Sequence, residues 1–112
     1  MAWDEALAAR IRADLAGHLI VEKRMFGGLA WMLHGHMVCG IHKGGAFYRV
    51  GKPNETAALA LPGIAPMAMN GRPMAGMVEA TAEASADDAR RRRLLALATG
   101  FVNSLPPKQT AK

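Results

Sequence analysis

From Trp3 to Leu19 the apolar residues Trp3, Leu7, Ile11, Leu15 and Leu19 return at every fourth position, with Asp4, Glu5, Arg10, Arg12 and Asp14 between them. That period predicts an amphipathic helix over 3–19, with acids in its first turn where the helix dipole favours negative charge. Gly17 near its end suits a helix C-terminus. From Glu22 the pattern changes to short apolar runs cut by glycine pairs and polar turns, which predicts strands near Glu22–Phe26, Gly28–Leu33, His36–His42 and Ala46–Val50. His34-Gly35 is expected to form a type I′ hairpin turn, since His tolerates the left-handed region better than most residues. Strict alternation then puts Trp31, Leu33, Val38 and His42 on one side of the sheet. Ala30, Met32, Met37, Cys39 and Ile41 fall on the other. Both sides are largely apolar, so both need cover.

Pro53-Asn54-Glu55 and the residues to Leu61 read as a short helix, stopped by Pro62-Gly63. Two weaker strands follow, Ile64–Met69 and Met74–Ala80, joined by Asn70-Gly71-Arg72-Pro73. Ser85-Ala86-Asp87-Asp88 has the look of a capping box opening a second long helix. Its stripe is Leu94, Ala98, Phe101 and Leu105, with Leu95 and Val102 at the margin, and Pro106-Pro107 ends it. The order predicts one α+β domain over 1–112: an antiparallel sheet of five to six strands in two layers. An N-terminal helix, a short middle helix and a long C-terminal helix gather on one face.

Composition narrows the class. A chain of 112 residues supports one core, and with aromatics at 5% and eight methionines that core must lean on aliphatic and thioether side chains. Cys39 is the single cysteine, so no intrachain disulfide forms, and the default compartment is the cytoplasm. The start of the chain lacks the basic region of a signal peptide, and no apolar run reaches a membrane span, so no membrane role is expected. Between Lys23 and Val78 six bases, Lys23, Arg24, Lys43, Arg49, Lys52 and Arg72, face the single acid Glu55, while bases and acids cancel in the flanks. A positive middle segment steers anionic partners.

Enzyme signatures are missing: there is no phosphate-binding loop, dinucleotide fingerprint, zinc-protease motif or nucleophile elbow. The serines fall at helix boundaries, and the middle segment offers no second carboxylate for acid–base work. No enzymatic activity and no cofactor are therefore expected. His34, His36, Cys39 and His42 have metal-ligating chemistry, but the alternation turns Cys39 and His42 to opposite faces, so no metal is assigned. Met67, Met69, Met74 and Met77 could offer thioether ligands to copper; core packing is the preferred role. The run Arg90–Arg93 spreads around a helix, with Arg92 and Arg93 toward solvent. Arg90 and Arg91 must snorkel or pair with Asp87, Asp88 or Glu83.

Several short motifs recur in one order: Lys23-Arg24-Met25-Phe26-Gly27-Gly28, the hairpin to Cys39-Gly40, Arg49-Val50-Gly51, Gly71-Arg72-Pro73-Met74 and Leu105-Pro106-Pro107-Lys108. Together they resemble the N-terminal domain of the TfoX/Sxy competence-regulator family, here as a stand-alone domain with His34-Gly35-His36 where the family usually has Asn-Gly-Asn. The resemblance implies a two-layer fold similar to secretion chaperones, dimerisation, and a regulatory or adaptor role through protein contacts, without established catalytic residues. Met25, Phe26, Gly27, Gly28, Arg49, Gly51, Gly71, Arg72 and Pro73 are the motif positions that could form a ligand site or an interface. In the first of these motifs the glycines permit a bulge or a close backbone approach. Arg49 and Arg72 could hold a small anionic ligand, although bracing the fold is preferred. Lys23, Arg24, Lys43, Lys52, Arg92 and Arg93 are the candidates for weak, sequence-independent nucleic-acid contact. A homodimer through one sheet face, bearing the Trp31 or the Cys39 set, is expected because an uncovered apolar face on a monomer is a liability.

Overall fold

The computed structural model describes residues 3–25, 27–42, 45–69 and 71–106. Six strands form one antiparallel sheet in the order β1-β2-β3-β4-β6-β5: β1 Ile20–Met25, β2 Gly28–Leu33, β3 His36–His42, β4 Gly45–Arg49, β5 Ile64–Met69 and β6 Arg72–Ala80. Helix α1 (Glu5–Asp14) precedes the sheet, a 3-10 turn (Lys52–Asn54) and α2 (Glu55–Leu59) lie between β4 and β5, and α3 (Ala82–Ala86) and α4 (Asp88–Asn103) follow. Residues of all four helices enter one core with the strands, so the helices share a face of the sheet. The expected two-layer α+β architecture is the observed one.

Local chemistry sets the boundaries. Asp4 caps α1 by accepting from the amides of Ala6 and Leu7 at 2.9 and 3.2 Å, worth about 1 kcal/mol. Leu7, Ala8, Ile11 and Leu15 turn inward, but the helix stops near Leu15 because Gly17 takes φ +96°. The expected stripe therefore runs too far: Leu19 lies past the helix and is 82% exposed. The long C-terminal helix also begins later than Ser85. Thr81 caps α3 through the Ala84 amide at 3.1 Å, and Asp87 caps α4 through the Arg90 amide at 2.8 Å. A break at Asp87 shifts the inward face of α4 to Leu94, Leu95, Ala98 and Val102, leaving Phe101 and Leu105 partly exposed.

The hairpin turn between β2 and β3 is as expected, with His34 at φ 54° and Gly35 at φ 83°. The division of faces is not. Trp31 pairs with Cys39 and Met32 with Met37, so Val38 is an extra residue in β3. In such a β-bulge both residues opposite the single one turn the same way, and Val38 and Cys39 both enter the core beside Trp31. The helix side of the sheet thus carries Leu29, Trp31, Leu33, Val38, Cys39, Ile41, Tyr48 and Val78, and His42 passes to the other side with Met37. Strict alternation fails here because one inserted residue inverts every assignment beyond it.

A second irregularity is larger. Pro66 pairs with Val78 and Ala68 with Pro73, so Met67 alone stands opposite the four residues from Met74 to Met77. Gly76 takes φ +78° within that loop, and its carbonyl accepts from the Gly51 amide at 3.0 Å. Strand β6 begins at Arg72, two residues before the expected start, so the extended backbone imposed by Pro73 is part of the strand.

Candidate functional site

On the side of the sheet away from the helices, Phe47, Met67 and Met77 form a small cluster of their own, with Met37 and Met74 packed against it. The β6 bulge is the cause: it gathers Met67, Met74 and Met77 over the Phe47 ring instead of spreading them along two flat strands. Met25 from the end of β1 and His42 from β3 complete the lining of an open groove of ≈ 360 Å³. His42 lies against Phe47, ring centres 5.7 Å apart and planes within 19° of parallel. The buried floor is Phe47, Met67 and Met77, while Met25, Met37, Met74 and His42 are half-buried along the sides. Five flexible thioethers give the groove a surface that can reshape around an apolar visitor.

Arg49 and Arg72 do not converge. Arg49 pairs in register with Met77, whereas Arg72 pairs with Met69 beyond the bulge and is exposed. Arg49 lies on the opposite side of β4 from Tyr48, and so away from Cys39, and its guanidinium reaches around the sheet end to within 5.6 Å of the Phe101 ring centre. Its Nη1 donates to His36 Nδ1 at 3.4 Å, so that nitrogen must be the acceptor and Nε2 carries the proton donated to the Pro106 carbonyl, at 2.8 Å. Gly51, at φ +88°, has the Phe101 ring where a Cβ would stand. Arg49, Gly51, His36 and Pro106 thus fasten the end of α4 to the sheet, a bracing role.

Among the other motif residues, packing constrains Gly28 and turn geometry constrains Gly27 and Gly71. Gly28 lies so close to the Ile41 carbonyl that no Cβ fits, and Gly27 (φ +74°) and Gly71 (φ +77°) take left-handed turn positions. Pro73 is exposed in β6. Phe26, Lys43, Asn70, Pro107 and Lys108 lie outside the described residues, as does the side chain of Met69.

The basic residues scatter. Lys23 is exposed on β1, on the groove side of the sheet, while Arg24 turns the other way and lies 5.5 Å from the Trp3 ring centre. Lys52 is in the 3-10 turn, and Arg92 and Arg93 are on α4. Arg91, 1% exposed, bonds Asp14 Oδ2 at 2.6 Å, Asp88 Oδ1 at 2.8 Å and the Ser85 carbonyl at 3.1 Å. Arg92 shares Asp14 at 3.2 Å, and Arg90 takes Asp87 and the Pro62 carbonyl. The arginine run is therefore largely an ion-pair device, and its main acceptor, Asp14 of α1, is one that local spacing could not identify. Arg91 and Arg92 hold the Asp88 carboxyl low, Arg91's hydrogen bond being the larger cause.

Cys39 and Tyr48, paired across β3 and β4, are both fully buried, and desolvation pushes both well above their ordinary range. The Tyr48 hydroxyl and Ser85 Oγ share a buried hydrogen bond of 2.9 Å. Neither the thiol nor the hydroxyl is placed for nucleophilic work. Among the described residues, no three His, Cys, Asp or Glu side chains converge on a common point.

These features define a two-layer α+β domain whose sheet face away from the described helices is hollowed into a methionine-lined groove. The chain matches the TfoX N-terminal domain over residues 13–102, most of its length, and belongs to that family. No curated protein and no solved structure matches it. Among the described residues no helix is long and apolar enough to cross a membrane.

Proposed function

We propose that this domain is a non-enzymatic regulatory or adaptor module, and that it works by docking another protein into the methionine groove. The observation that carries this reading is the contrast between an apolar, methionine-lined cavity open to solvent and the Cys39 thiol and Tyr48 hydroxyl buried on the other side of the sheet. Large apolar surface left open on a small domain marks an interaction site, and thioether side chains suit one that must adapt to its partner. The scattered bases supply a field that speeds encounter with anionic partners without composing a surface that follows a phosphate backbone.

A homodimer would have to use this same side, because Trp31 and Cys39 are both sealed beneath the helices. Val21, 56% exposed, and the half-buried Met32 and Met37 stand in register across β1, β2 and β3 and extend the apolar surface beyond the groove. The test is capture of partners from nuclease-treated extract by the intact chain and by Met74→Glu. A protein retained by the first and lost from the second supports docking. Loss of all partners on nuclease treatment would favour the nucleic-acid alternative instead.

A further inference from the structure

The groove has two banks, and each carries a cation. Lys23 is exposed on β1 two residues before Met25, so it shares that residue's side of the sheet. Arg72 is exposed on β6 two residues before Met74, on the opposite bank. Between them lies the apolar floor of Phe47, Met67 and Met77.

The acids are elsewhere. Asp4, Glu5, Asp14, Glu83, Asp87 and Asp88 belong to the helices or their caps, Glu55 opens α2, and Glu22 turns to the helix side, where it binds Arg12 and the Trp31 indole. Glu79 is the one acid on the groove side. It lies on β6 in register with Phe47, beyond the bulge from Arg72, and faces His42 and Ala65 in an adjoining hollow.

From this distribution we infer that the groove's occupant is an acidic amphipathic helix of a protein partner, laid between β1 and β6 with its apolar stripe on the methionines and its carboxylates toward Lys23 and Arg72. The inference rests on the docking reading above and adds the partner's chemistry. A helix presents side chains at i, i+3, i+4 and i+7 along one face, and flexible thioethers accommodate such anchors. A cavity of ≈ 360 Å³ holds only a few large side chains, so the anchors are few. Carboxylates on both flanks of that stripe meet one cation on each bank, which centres the helix and rejects a basic competitor by repulsion.

The test uses the intact chain and three synthetic helical peptides with the same leucine stripe, flanked by glutamate, by lysine or by glutamine, with binding followed by fluorescence anisotropy at two salt concentrations. The expected order is glutamate tightest, then glutamine, then lysine, with the spread narrowing at high salt. The exposed double variant Lys23→Glu/Arg72→Glu should lose about tenfold for the glutamate peptide, as two exposed ion pairs become repulsions, and gain for the lysine peptide. Equal binding of all three peptides would overturn the inference and leave the docking reading standing. Binding of none, while Met74→Glu still abolishes capture of a native protein partner, would also overturn the helix and spare the docking. Binding of none together with unchanged capture by Met74→Glu would remove both. Sedimentation of the free chain adds a separate outcome: a species at twice 11.9 kDa that masks the groove from all three peptides would assign the surface to a second copy and overturn the inference.

Discussion

On its helix side the sheet presents Trp31, Tyr48, Val78 and Ile41 to helices that interlock with them, and a buried polar network ties the layers together. On its other side it presents Phe47 and five methionines to each other and to an open groove. The two faces have much the same hydrophobic character, so composition does not separate them. What does is geometry. The first bulge, at Val38, brings an additional side chain into the core, whereas the second, at Met74–Met77, leaves side chains gathered with none of the described helices laid over them. One irregularity closes a surface and the other creates one. Interlocked side chains in fixed rotamers specify one structure, while unbranched thioethers at an edge allow several packings of similar energy.

The largest expected effects are on the sealed face. Trp31→Ala should cost about 3–5 kcal/mol in urea unfolding, because a large buried ring leaves a cavity that locked neighbours cannot fill. Arg91→Ala should cost a similar 3–5 kcal/mol, since it strands Asp14, whose side chain is 10% exposed, without its main partner. If either variant loses less than about 1 kcal/mol, well below the range for such sites, the sealed face is looser than described.

On the groove side the same truncations should be cheaper. Phe47→Ala is expected near the bottom of the range for buried aromatics, about 3 kcal/mol, because the surrounding methionines can relax into the space. Met74→Ala, at a half-buried position, should cost under about 1 kcal/mol while reducing partner capture. A Met74→Ala loss as large as that of Trp31→Ala would show that the groove wall is core.

These variants also mark where sequence reasoning stopped. The succession of helices and strands along the chain, the hairpin turn at His34-Gly35, the short middle helix and both long helices were legible because period, caps and turn residues are local signals. The two bulges were not, since an inserted residue changes no local propensity. It appears only in the pairing of two strands. That is why Cys39 and Trp31 were expected on different faces, and why the methionines read as ordinary strand core. Asp14 as the partner of Arg91 was equally hidden, because the two are distant in sequence and meet only once α1 packs against α4. The methionine count was the one visible signal of the groove, and it carried no position.

A smaller effect concerns acid. Glu22 accepts from Arg12 Nε at 2.6 Å and Nη2 at 3.0 Å and from Trp31 Nε1 at 2.9 Å, and the Arg12 hydrogen bonds hold its carboxyl below the usual range. A carboxyl depressed on folding adds stability that is whole above its unfolded pKa, near about 4.3. That stability disappears as pH falls through the lower folded value. Asp88 behaves the same way beside Arg91. Stability should therefore decline below about pH 4.5, and Glu22→Gln should lower it at neutral pH while making the acid decline shallower. An unchanged acid limb in that variant would remove Glu22 from the account.

The contrast between the faces is tested most directly by carbon-13 methyl spectra of the methionines during titration with the glutamate-flanked helical peptide. The account predicts that Met25, Met37, Met67, Met74 and Met77 shift together, while the indole proton of Trp31 stays in place. A titration that moves Trp31 and leaves those five methyls unmoved would contradict it.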